Sequence, residues 1–379
     1  MTLPPFRLER FFARHELSVE HVLCGSDCES VSVGELLELE PGAGEALAAL
    51  RLGYTESPGS PELRREIAGL YDTIDPDEVL VFSGGEEAIF ALMHIAVEPG
   101  ERVFVHFPAY QSLHEVARAR GCETVLWRAR EEAGWALDPS FVRWRLLRGG
   151  ARARAMVVNS PHNPTGAVLG REAFDELLGL AREERLLLIW DEAYRFLELR
   201  EEDRLPPACD LEESAVSLGV LSKSLGLPGL RIGWVATHDR PLLERLAGFK
   251  DYLTICSSAP SELLAALALR HRHHLLERNR GLIERNLALL DDFMARRRDR
   301  FEWVRPASGP VAYPALRSEE GANAFCARLL ERSGVLLLPG SLFDDCDHRH
   351  VRIGFGRQDF PEGLARLDAA LDEGRLTAP

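Results

Sequence analysis

The chain has 379 residues, 46% of them hydrophobic, and a formal net charge of −15 at pH 7. A chain of this length usually folds into more than one domain, and this apolar fraction excludes a disordered protein. The negative charge argues against a general affinity for nucleic acids or anionic membranes. We therefore expect no nucleic-acid or membrane partner, and any basic pocket must be local.

Cysteine use and the start of the chain indicate a cytoplasmic protein. The seven cysteines are scattered, their number is odd, and none form a CxxC pair, which is typical of reduced thiols. Residues 6–15 lack the apolar core of a secretory signal, and no run reaches the ~20 apolar residues of a membrane span. We predict no metal site, because Cys24 and Cys28 have no second Cys or His pair nearby.

The first part of the chain shows short helices separated by polar loops. Hydrophobic spacing, turn residues and a capping box at Ser32 are the signals. They predict a helix over 5–17, a loop over 24–30, a helix from Ser32 to about Leu39, a turn-rich segment over 52–61 and a helix over 61–71.

From residue 79 onward, strands and helices alternate. The predicted strands are Val79–Phe82, Arg102–Phe107, Thr124–Trp127, Ala155–Asn159, Leu186–Trp190, Ala215–Leu218 and Ile232–Ala236. The predicted helices are Glu86–Ile95, Ser112–Ala119 and Glu172–Glu184. This alternation implies crossovers and a mainly parallel sheet with helices on both faces.

The C-terminal part of the chain begins with a long helical region over 258–297. We expect this region to be bent or broken near residues 279–281, where Asn, Arg and Gly follow one another. Residues 298–379 then show strands and helices of a smaller domain, with the clearest strands at Gly334–Pro339 and His350–Phe355.

Lys223 is the residue around which the rest is organised. Its neighbours Leu221, Leu225 and Leu227 are apolar, and burial leaves a lysine as the nucleophilic amine that Schiff-base chemistry needs. Arg231, eight positions later, is a candidate for binding a doubly charged anion such as a phosphate. Taken alone, the stretch fits a helix-capping lysine beside a turn equally well.

Two motifs lie upstream of the lysine. Residues 160–166 are SPHNPTG, and residues 190–194 are WDEAY. With these motifs in this order, the chain resembles fold-type I pyridoxal-phosphate (PLP) enzymes of the class I/II aminotransferase family. The resemblance implies an α/β fold with a large PLP-binding domain, 51–275, that holds a mostly parallel seven-stranded sheet between helices. A smaller α+β domain would come from both termini, 1–50 and 276–379.

The resemblance also assigns roles around the cofactor ring. Lys223 would form the Schiff base and then move the substrate's α-proton, and Asp191 would face the ring nitrogen. Tyr194 and Asn163 would hydrogen-bond to the phenolic oxygen, and Tyr110 would stack on the ring. The structural alternatives are a helix N-cap at Asp191, an ordinary turn at Asn163 and a core aromatic at Tyr110.

A strand, two glycines and the start of a helix suggest a phosphate site. Glycines let backbone N–H groups approach an anion, and the start of a helix is locally positive. The predicted phosphate contacts are Gly84, Gly85, the backbone of Glu86, Ser222 and Arg231. The family commonly has a hydroxyl three residues before the lysine, and this chain has Val220 there, so that contact is lost or replaced.

The substrate contacts follow from the same resemblance. Arg352 matches the arginine that binds the substrate α-carboxylate as a bidentate partner, and Asn163 is a further predicted substrate contact. Tyr54 matches a position that reaches the phosphate of a partner subunit, which implies a homodimer with shared sites.

The reaction stays open between two classes. Residues 108–113, 221–231 and 250–254 resemble the group of capreomycidine synthase and related cyclases, which convert hydroxylated arginine into cyclic guanidino amino acids. A guanidinium needs carboxylates, and Glu9, Asp27 and Glu29 are the candidates, unless they are solvated loop charges. Amino transfer to a 2-oxo acid is the main reading. A PLP-binding transcriptional regulator would need a basic domain for which this acidic chain has no room before residue 50.

Overall fold

The computed structural model describes residues 2–318, 320–344 and 346–372. The helices in these ranges are α1 (Arg7–His15), α2 (Val33–Leu37), α3 (Ala43–Ala49), α4 (Pro61–Ala68), α5 (Gly85–Ile95), α6 (Ser112–Ala119), α7 (Ser140–Leu147), α8 (Arg171–Glu184), α9 (Ala208–Leu211), α10 (Arg240–Lys250), α11 (Ala259–Arg270), α12 (Arg272–Arg296), α13 (Ala322–Ser333) and α14 (Phe360–Asp372). The strands are β1 (His21–Val22), β2 (Val79–Phe82), β3 (Arg102–Phe107), β4 (Glu123–Arg128), β5 (Ala153–Asn159), β6 (Leu187–Asp191), β7 (Ala215–Val220), β8 (Gly233–Ala236), β9 (Phe301–Glu302), β10 (Val311–Ala312), β11 (Ala315–Leu316), β12 (Val335–Leu336), β13 (Leu338–Pro339) and β14 (Val351–Gly354).

A seven-stranded sheet forms the centre, in the order β2-β8-β7-β6-β5-β3-β4. Strand β8 runs antiparallel to both neighbours, and the other neighbouring pairs are parallel. Helices α5, α6 and α10 cover one face, and α7 and α8 pack on the other. Along β3, Val103 and Val105 therefore contact the first layer and Phe104 the second, so apolar side chains are needed on both faces of the strand.

The parallel strands place their carboxyl ends at one edge of the sheet. Strands β2, β3, β5, β6 and β7 all end there, and the loops that follow them carry most of the predicted site residues. Strand β8 runs the other way, so the residues before its start reach the same edge. In open α/β sheets this edge is where ligands bind.

The two ends of the chain meet in a second unit of structure. Strand β1 pairs in parallel with β12, and β14 lies between β10 and β13 in an antiparallel sheet. Helix α14 packs on α12 and α13. This pairing joins N-terminal and C-terminal segments as expected, while the boundaries 1–50, 51–275 and 276–379 stay a prediction.

The α/β class and the mostly parallel seven-stranded sheet are confirmed, and the capping box is present because Ser32 and Glu35 bond to each other's backbone N–H groups. The expected break at residues 279–281 is wrong. The helical region is interrupted at His271, and α12 continues through Gly281. Tertiary contacts explain the continuity, since the buried Asn279 side chain donates a hydrogen bond to the Ser224 carbonyl oxygen at 2.9 Å. The sequence also missed α3, α7, α9 and α10.

Within the described residues, no helix is long and apolar enough to cross a membrane, and no cluster of three or more His, Cys, Asp or Glu side chains could hold a metal ion. The seven cysteines form no disulfide there. His271, a residue of the histidine-rich helical stretch, instead contacts the Glu40 carboxylate at 3.0 Å.

Gly354 offers a test of how tightly the small sheet packs on the N-terminal loop. A Cβ atom at Gly354 would lie 1.9 Å from the Gly25 carbonyl oxygen, so one backbone must move. We expect Gly354→Ala to lower the free energy of unfolding by about 1–3 kcal/mol. Urea denaturation followed by circular dichroism measures it.

The matched control is Gly281→Ala, in the middle of α12. A Cβ at this exposed position meets nothing within 4 Å, so alanine should raise the free energy of unfolding by about 0.5–1 kcal/mol. Equal effects of the two substitutions would contradict the packing described for β14.

Candidate active site

A cavity of about 680 Å³ opens at the carboxyl edge of the large sheet. Helix α1 and the loop at residues 25–27 form its outer wall, opposite the loops that follow the strands. The predicted site residues that line it are Glu9, Asp27, Gly85, Glu86, Tyr110, Asn163, Asp191, Tyr194, Ser222, Lys223, Arg231 and Arg352. The fold thus brings residues that are more than 300 positions apart in the sequence into the lining of one cavity.

Lys223 follows β7 and is partly buried in the cavity wall. Its Nζ donates a hydrogen bond to Ser26 Oγ at 2.8 Å. Burial lowers the pKa of Lys223, and the negative charge of Asp27 opposes this shift. The net direction favours the neutral amine, which is the nucleophilic form.

Asp191 is the last residue of β6, and its carboxylate faces the same cavity. Its Oδ1 accepts a hydrogen bond from the Ala193 N–H at 3.1 Å. Burial raises the pKa of Asp191 to about 6, although the Ala193 N–H and the charge of Lys223 act in the opposite direction. A carboxylate held this way would be stabilised by a cation placed against it.

Tyr194 and Asn163 sit on either side of this carboxylate in the chain and line the cavity with it. The Tyr194 hydroxyl donates to the Ser26 carbonyl oxygen at 2.8 Å, and burial raises its pKa. The Asn163 N–H donates to Asn159 Oδ1 at 2.7 Å, and the Asn163–Pro164 peptide bond is cis. Both residues therefore present polar atoms to the cavity from fixed positions.

The start of α5 forms a cradle with Arg231. Gly84 has a φ of 94°, and a Cβ there would lie 2.5 Å from Arg231 Nη2, so only glycine leaves room for the guanidinium. Gly85 packs against Gly233, where a Cβ would meet the Gly85 nitrogen at 2.6 Å. The Val220 side chain lies at ordinary contact distance, 3.7 Å, from a Cβ built on Gly85. The position of the usual hydroxyl is thus used for packing.

Tyr110 follows β3 and carries two acidic neighbours. Its hydroxyl donates to Glu9 Oε1 at 2.7 Å, and its ring lies 5.0 Å from the Phe6 ring, measured between centroids. Burial raises the pKa of the Tyr110 hydroxyl, and the charges of Glu86 and Glu9 act in the same direction. The N-terminal helix is therefore held against the loop that carries Tyr110.

Arg352 lies in β14 and is 1% exposed. Its Nη2 donates to the Cys24 carbonyl oxygen at 2.6 Å, and its Nη1 donates to Asn163 Oδ1 at 3.2 Å. Among the described residues no carboxylate pairs with this guanidinium. A buried cation without a counterion is costly, so the arrangement is suited to an anionic ligand.

Three predicted residues lie in other settings. Asp27 lines the cavity, but its carboxylate already accepts hydrogen bonds from Arg357 Nη2 at 2.9 and 3.1 Å. Glu29 does not reach the cavity lining, because its Oε2 accepts the Gln358 N–H at 2.8 Å. Tyr54 is 91% exposed and lies outside the cavity of its own chain, so its predicted role in a partner subunit stays a prediction.

Ser26 and Arg357 are among the cavity residues that the sequence reasoning missed. Ser26 bonds to both Lys223 and Tyr194, and Arg357 balances the charge of Asp27. Neither belongs to a motif, and each contact joins segments at least 168 residues apart. The polar composition of residues 24–30 signalled a loop without showing what it touches.

The family described as aminotransferase class I and II matches residues 38–362. The chain belongs to this family. It is similar to capreomycidine synthase of Streptomyces vinaceus, with 31% identity over 97% of this chain and 94% of that protein. A PLP-dependent aminotransferase of Streptococcus suis 89-1591 has a TM-score of 0.91, 32% identity and full coverage of both chains. The PLP-dependent cyclase OrfR has a TM-score of 0.88 and 32% identity, covering 98% of each chain.

The cofactor of the family is pyridoxal phosphate, and the residues present fit it. The cradle of Gly84, Gly85 and Arg231 suits a phosphate, since a Cβ would fill it. The partly buried carboxylate of Asp191 suits a protonated ring nitrogen, and the amine of Lys223 in the same cavity suits an aldehyde.

The raised pKa of Asp191 predicts a pH effect on the cofactor-free protein. The pKa of Asp191 is about 6 in the folded protein and 3.8 ordinarily. Between these two pH values the folded protein keeps the proton on Asp191, whereas the unfolded chain has released it. The free energy of unfolding should therefore fall as pH rises from about 3.8 to about 6. Asp191→Asn removes this loss, so at about pH 8 it should raise the free energy of unfolding by roughly 2–3 kcal/mol.

Urea unfolding at about pH 4.5 and about pH 8 measures the difference. Asp175→Asn, on the exposed surface of α8, is the control and should leave the pH dependence unchanged. If Asp191→Asn and the native protein lose the same free energy of unfolding between these pH values, burial of Asp191 does not cause the pH dependence.

Proposed function

We propose that this protein is an enzyme that transfers the amino group of an L-amino acid to a 2-oxo acid. The observation that carries the proposal is the shared cavity of Lys223, Asp191 and Arg352. It supplies an amine, a carboxylate and a guanidinium that pairs with no carboxylate among the described residues. Bound pyridoxal phosphate supplies the electron sink of this chemistry. The residues of the chain supply binding, orientation and proton movement.

Lys223 is the proposed catalytic base and acid. Its lowered pKa allows Nζ to accept the α-proton of a substrate and then to donate this proton at a different atom. Ser26 Oγ, at 2.8 Å, orients the amine when it is not engaged. The proposed role of Asp191 is to hold the cofactor's ring nitrogen protonated, and Tyr194 and Asn163 would donate to the phenolic oxygen.

The remaining roles are binding roles. Arg352 binds the substrate α-carboxylate, since a guanidinium matches a carboxylate with two parallel hydrogen bonds. Asn163 Oδ1, 3.2 Å from Arg352 Nη1, fixes the orientation of that guanidinium. The ring of Tyr110 stacks on the cofactor. The proposed phosphate contacts are Gly84, Gly85, the backbone of Glu86, Ser222 and Arg231.

We propose a homodimer in which Tyr54 reaches the partner's phosphate site. An exposed apolar patch around Tyr54 supports this, made of Leu52, Tyr54, Tyr252, Leu253 and Ile255. The two loops that carry it are joined by a hydrogen bond from Thr55 Oγ1 to the Ser257 carbonyl oxygen at 2.9 Å.

Free thiols at all seven cysteines are typical of a reducing compartment and support a cytoplasmic location.

A second candidate is cyclisation of a hydroxylated arginine with loss of water. The carboxylate of Glu9 in the cavity wall favours it, because a guanidinium binds carboxylates, whereas the carboxylate of Asp27 is already paired with Arg357. The 31% identity to capreomycidine synthase supports it as well. The same lysine, aspartate and arginine serve both reactions, so product chemistry must decide.

Substitution of the lysine tests the first role. Lys223→Ala should abolish the visible absorbance of cofactor bound to the lysine, because no other amine lines the cavity in the described part of the chain. Lys250→Met is the control. Lys250 is also a buried lysine, but its Nζ donates to the Ser57 carbonyl oxygen outside the cavity. An unchanged band in Lys223→Ala would exclude that role.

Product analysis tests the reaction. The purified enzyme is incubated with a panel of amino acids that includes hydroxyarginines, with and without a 2-oxo acid acceptor, and the products are identified by mass spectrometry. Amino transfer predicts a 2-oxo acid product that depends on the acceptor. A cyclic product that lacks one water and forms without acceptor would replace the first candidate by the second.

A further inference from the structure

The loop that follows β4 leaves the large sheet and contacts the small antiparallel sheet. This loop is closed on itself, because the Arg130 N–H donates to the Ala136 carbonyl oxygen at 3.0 Å. Trp135 has a φ of 64°, a backbone conformation that is costly for a bulky residue, and its side chain is buried. Its ring lies 5.7 Å from the Tyr313 ring and 5.3 Å from the His350 imidazole, measured between centroids. The loop thus places an aromatic side chain on the small sheet.

His350 lies directly before β14, between two carboxylates from different parts of the chain. Its Nδ1 is 3.0 Å from the Asp347 carboxylate, and its Nε2 is 3.1 Å from Glu131 Oε2. Asp347 belongs to the segment that leads into β14, whereas Glu131 belongs to the loop that follows β4. A further ion pair, between Arg128 and Asp344, joins the same two segments. The His350 imidazole therefore connects the large sheet with the small one.

These contacts favour the protonated form of His350. A neutral imidazole has a lone pair on one of its nitrogens, and here this lone pair would face a carboxylate. Burial lowers the pKa of His350, but Asp347 and Glu131 outweigh burial and raise the pKa above its ordinary 6.5. The Tyr313 hydroxyl donates to Asp347 Oδ2 at 2.6 Å, and the Tyr313 ring is stacked on the imidazole at 4.8 Å. The titratable groups that contact His350 in the described structure are thus Asp347, Glu131 and Tyr313.

The same contacts extend to Arg352, two residues further along the chain. The Phe343 ring lies 6.0 Å from the Tyr313 ring and 5.4 Å from Arg352 Cζ. Arg352 pairs with no carboxylate among the described residues, so its position depends on these rings and on neutral acceptors such as the Cys24 carbonyl oxygen. A shift of the strand that follows His350 would move this guanidinium relative to the cavity. His350 itself does not line the cavity.

We infer that His350 is a positioning residue for Arg352. Its contacts with Glu131 and Asp347 hold the strand of Arg352 against the loop that follows β4. The inference rests on the proposed function, in which Arg352 binds the α-carboxylate of the substrate. His350 acts through this strand and takes no part in proton transfer. Loss of its contacts should therefore weaken substrate binding and leave the later steps unchanged.

The first experiment measures the contact itself in the purified holoprotein. Histidine hydrogen–deuterium exchange followed by mass spectrometry gives the pKa of the His350 imidazole. We expect this pKa to lie above the ordinary 6.5 in the native protein and to fall in Glu131→Gln, because the substitution removes one of the two negative charges. Glu132→Gln, at the exposed neighbouring position, is the control and should leave the pKa of His350 unchanged.

The second experiment measures substrate binding by the holoenzyme. Titration with L-alanine, L-glutamate, L-lysine and L-arginine, followed by cofactor absorbance, gives an apparent Kd for each, and the amino acid that binds most tightly is used. At about pH 6, His350→Gln and Glu131→Gln should each raise its Kd and KM by about three- to tenfold and leave kcat unchanged, as for the loss of a partly buried ion pair. Glu132→Gln should change none of these constants.

The effect should depend on pH with a fixed sign. His350 is protonated below its pKa, so the native protein has the ion pairs there and the variants lack them. As pH rises through this pKa, the native protein loses them too, and the ratio of variant Kd to native Kd should fall toward 1. A mere loss of packing at His350 would give the same ratio at every pH.

The outcomes separate this inference from the proposed function. A native His350 pKa at or below 6.5, equal Kd values of variant and native protein at about pH 6, or a Kd ratio that does not change with pH would overturn the positioning role. If thermal melting shows that His350→Gln does not fold, Glu131→Gln decides, because Glu131 is partly exposed. A holoenzyme whose cofactor absorbance responds to no amino acid would contradict the proposed function, and the positioning role with it.

Discussion

The structure depends on one closure, in which an N-terminal loop is hydrogen-bonded to the carboxyl edge of the large sheet. Ser26 makes it, because its hydroxyl accepts from Lys223 and its carbonyl oxygen accepts from Tyr194. The carbonyl oxygen of Cys24, in the same loop, accepts from Arg352. Lys223 is thereby held in the cavity wall, where burial lowers its pKa.

The closure also explains how the two ends of the chain serve one cavity. Strand β14 brings Arg352 beneath the loop, and a close backbone approach between Gly354 and Gly25 leaves no room for a side chain. Helix α1 then lies over Tyr110, and Gln111 accepts the Arg7 N–H. The proposed substrate contact at Arg352 thus comes from an element near the C-terminus, while the proposed cofactor contacts come from the edge of the large sheet.

Much of this could be predicted from the sequence, for a physical reason. Apolar strands are visible as continuous hydrophobic runs, so residues that follow them, such as Asp191 and Lys223, could be assigned to one sheet edge. The contacts of Ser26 and Arg357 could not, because they join segments up to 330 residues apart and follow no periodicity. The sequence predicts Glu29 near the substrate, but Glu29 accepts a hydrogen bond from the Gln358 N–H instead. This contact also joins distant segments, so the sequence gives no sign of it.

The most direct measurement of the central claim is to reduce the holoprotein with borohydride, digest it and locate the cofactor mass by peptide sequencing. Lys223 is the partly buried lysine of the cavity, and its amine is held by Ser26. The account predicts that the reduced cofactor is attached to Lys223. Attachment to Lys250, the other of the two lysines in the sequence, or a holoprotein without a covalent adduct, would contradict it.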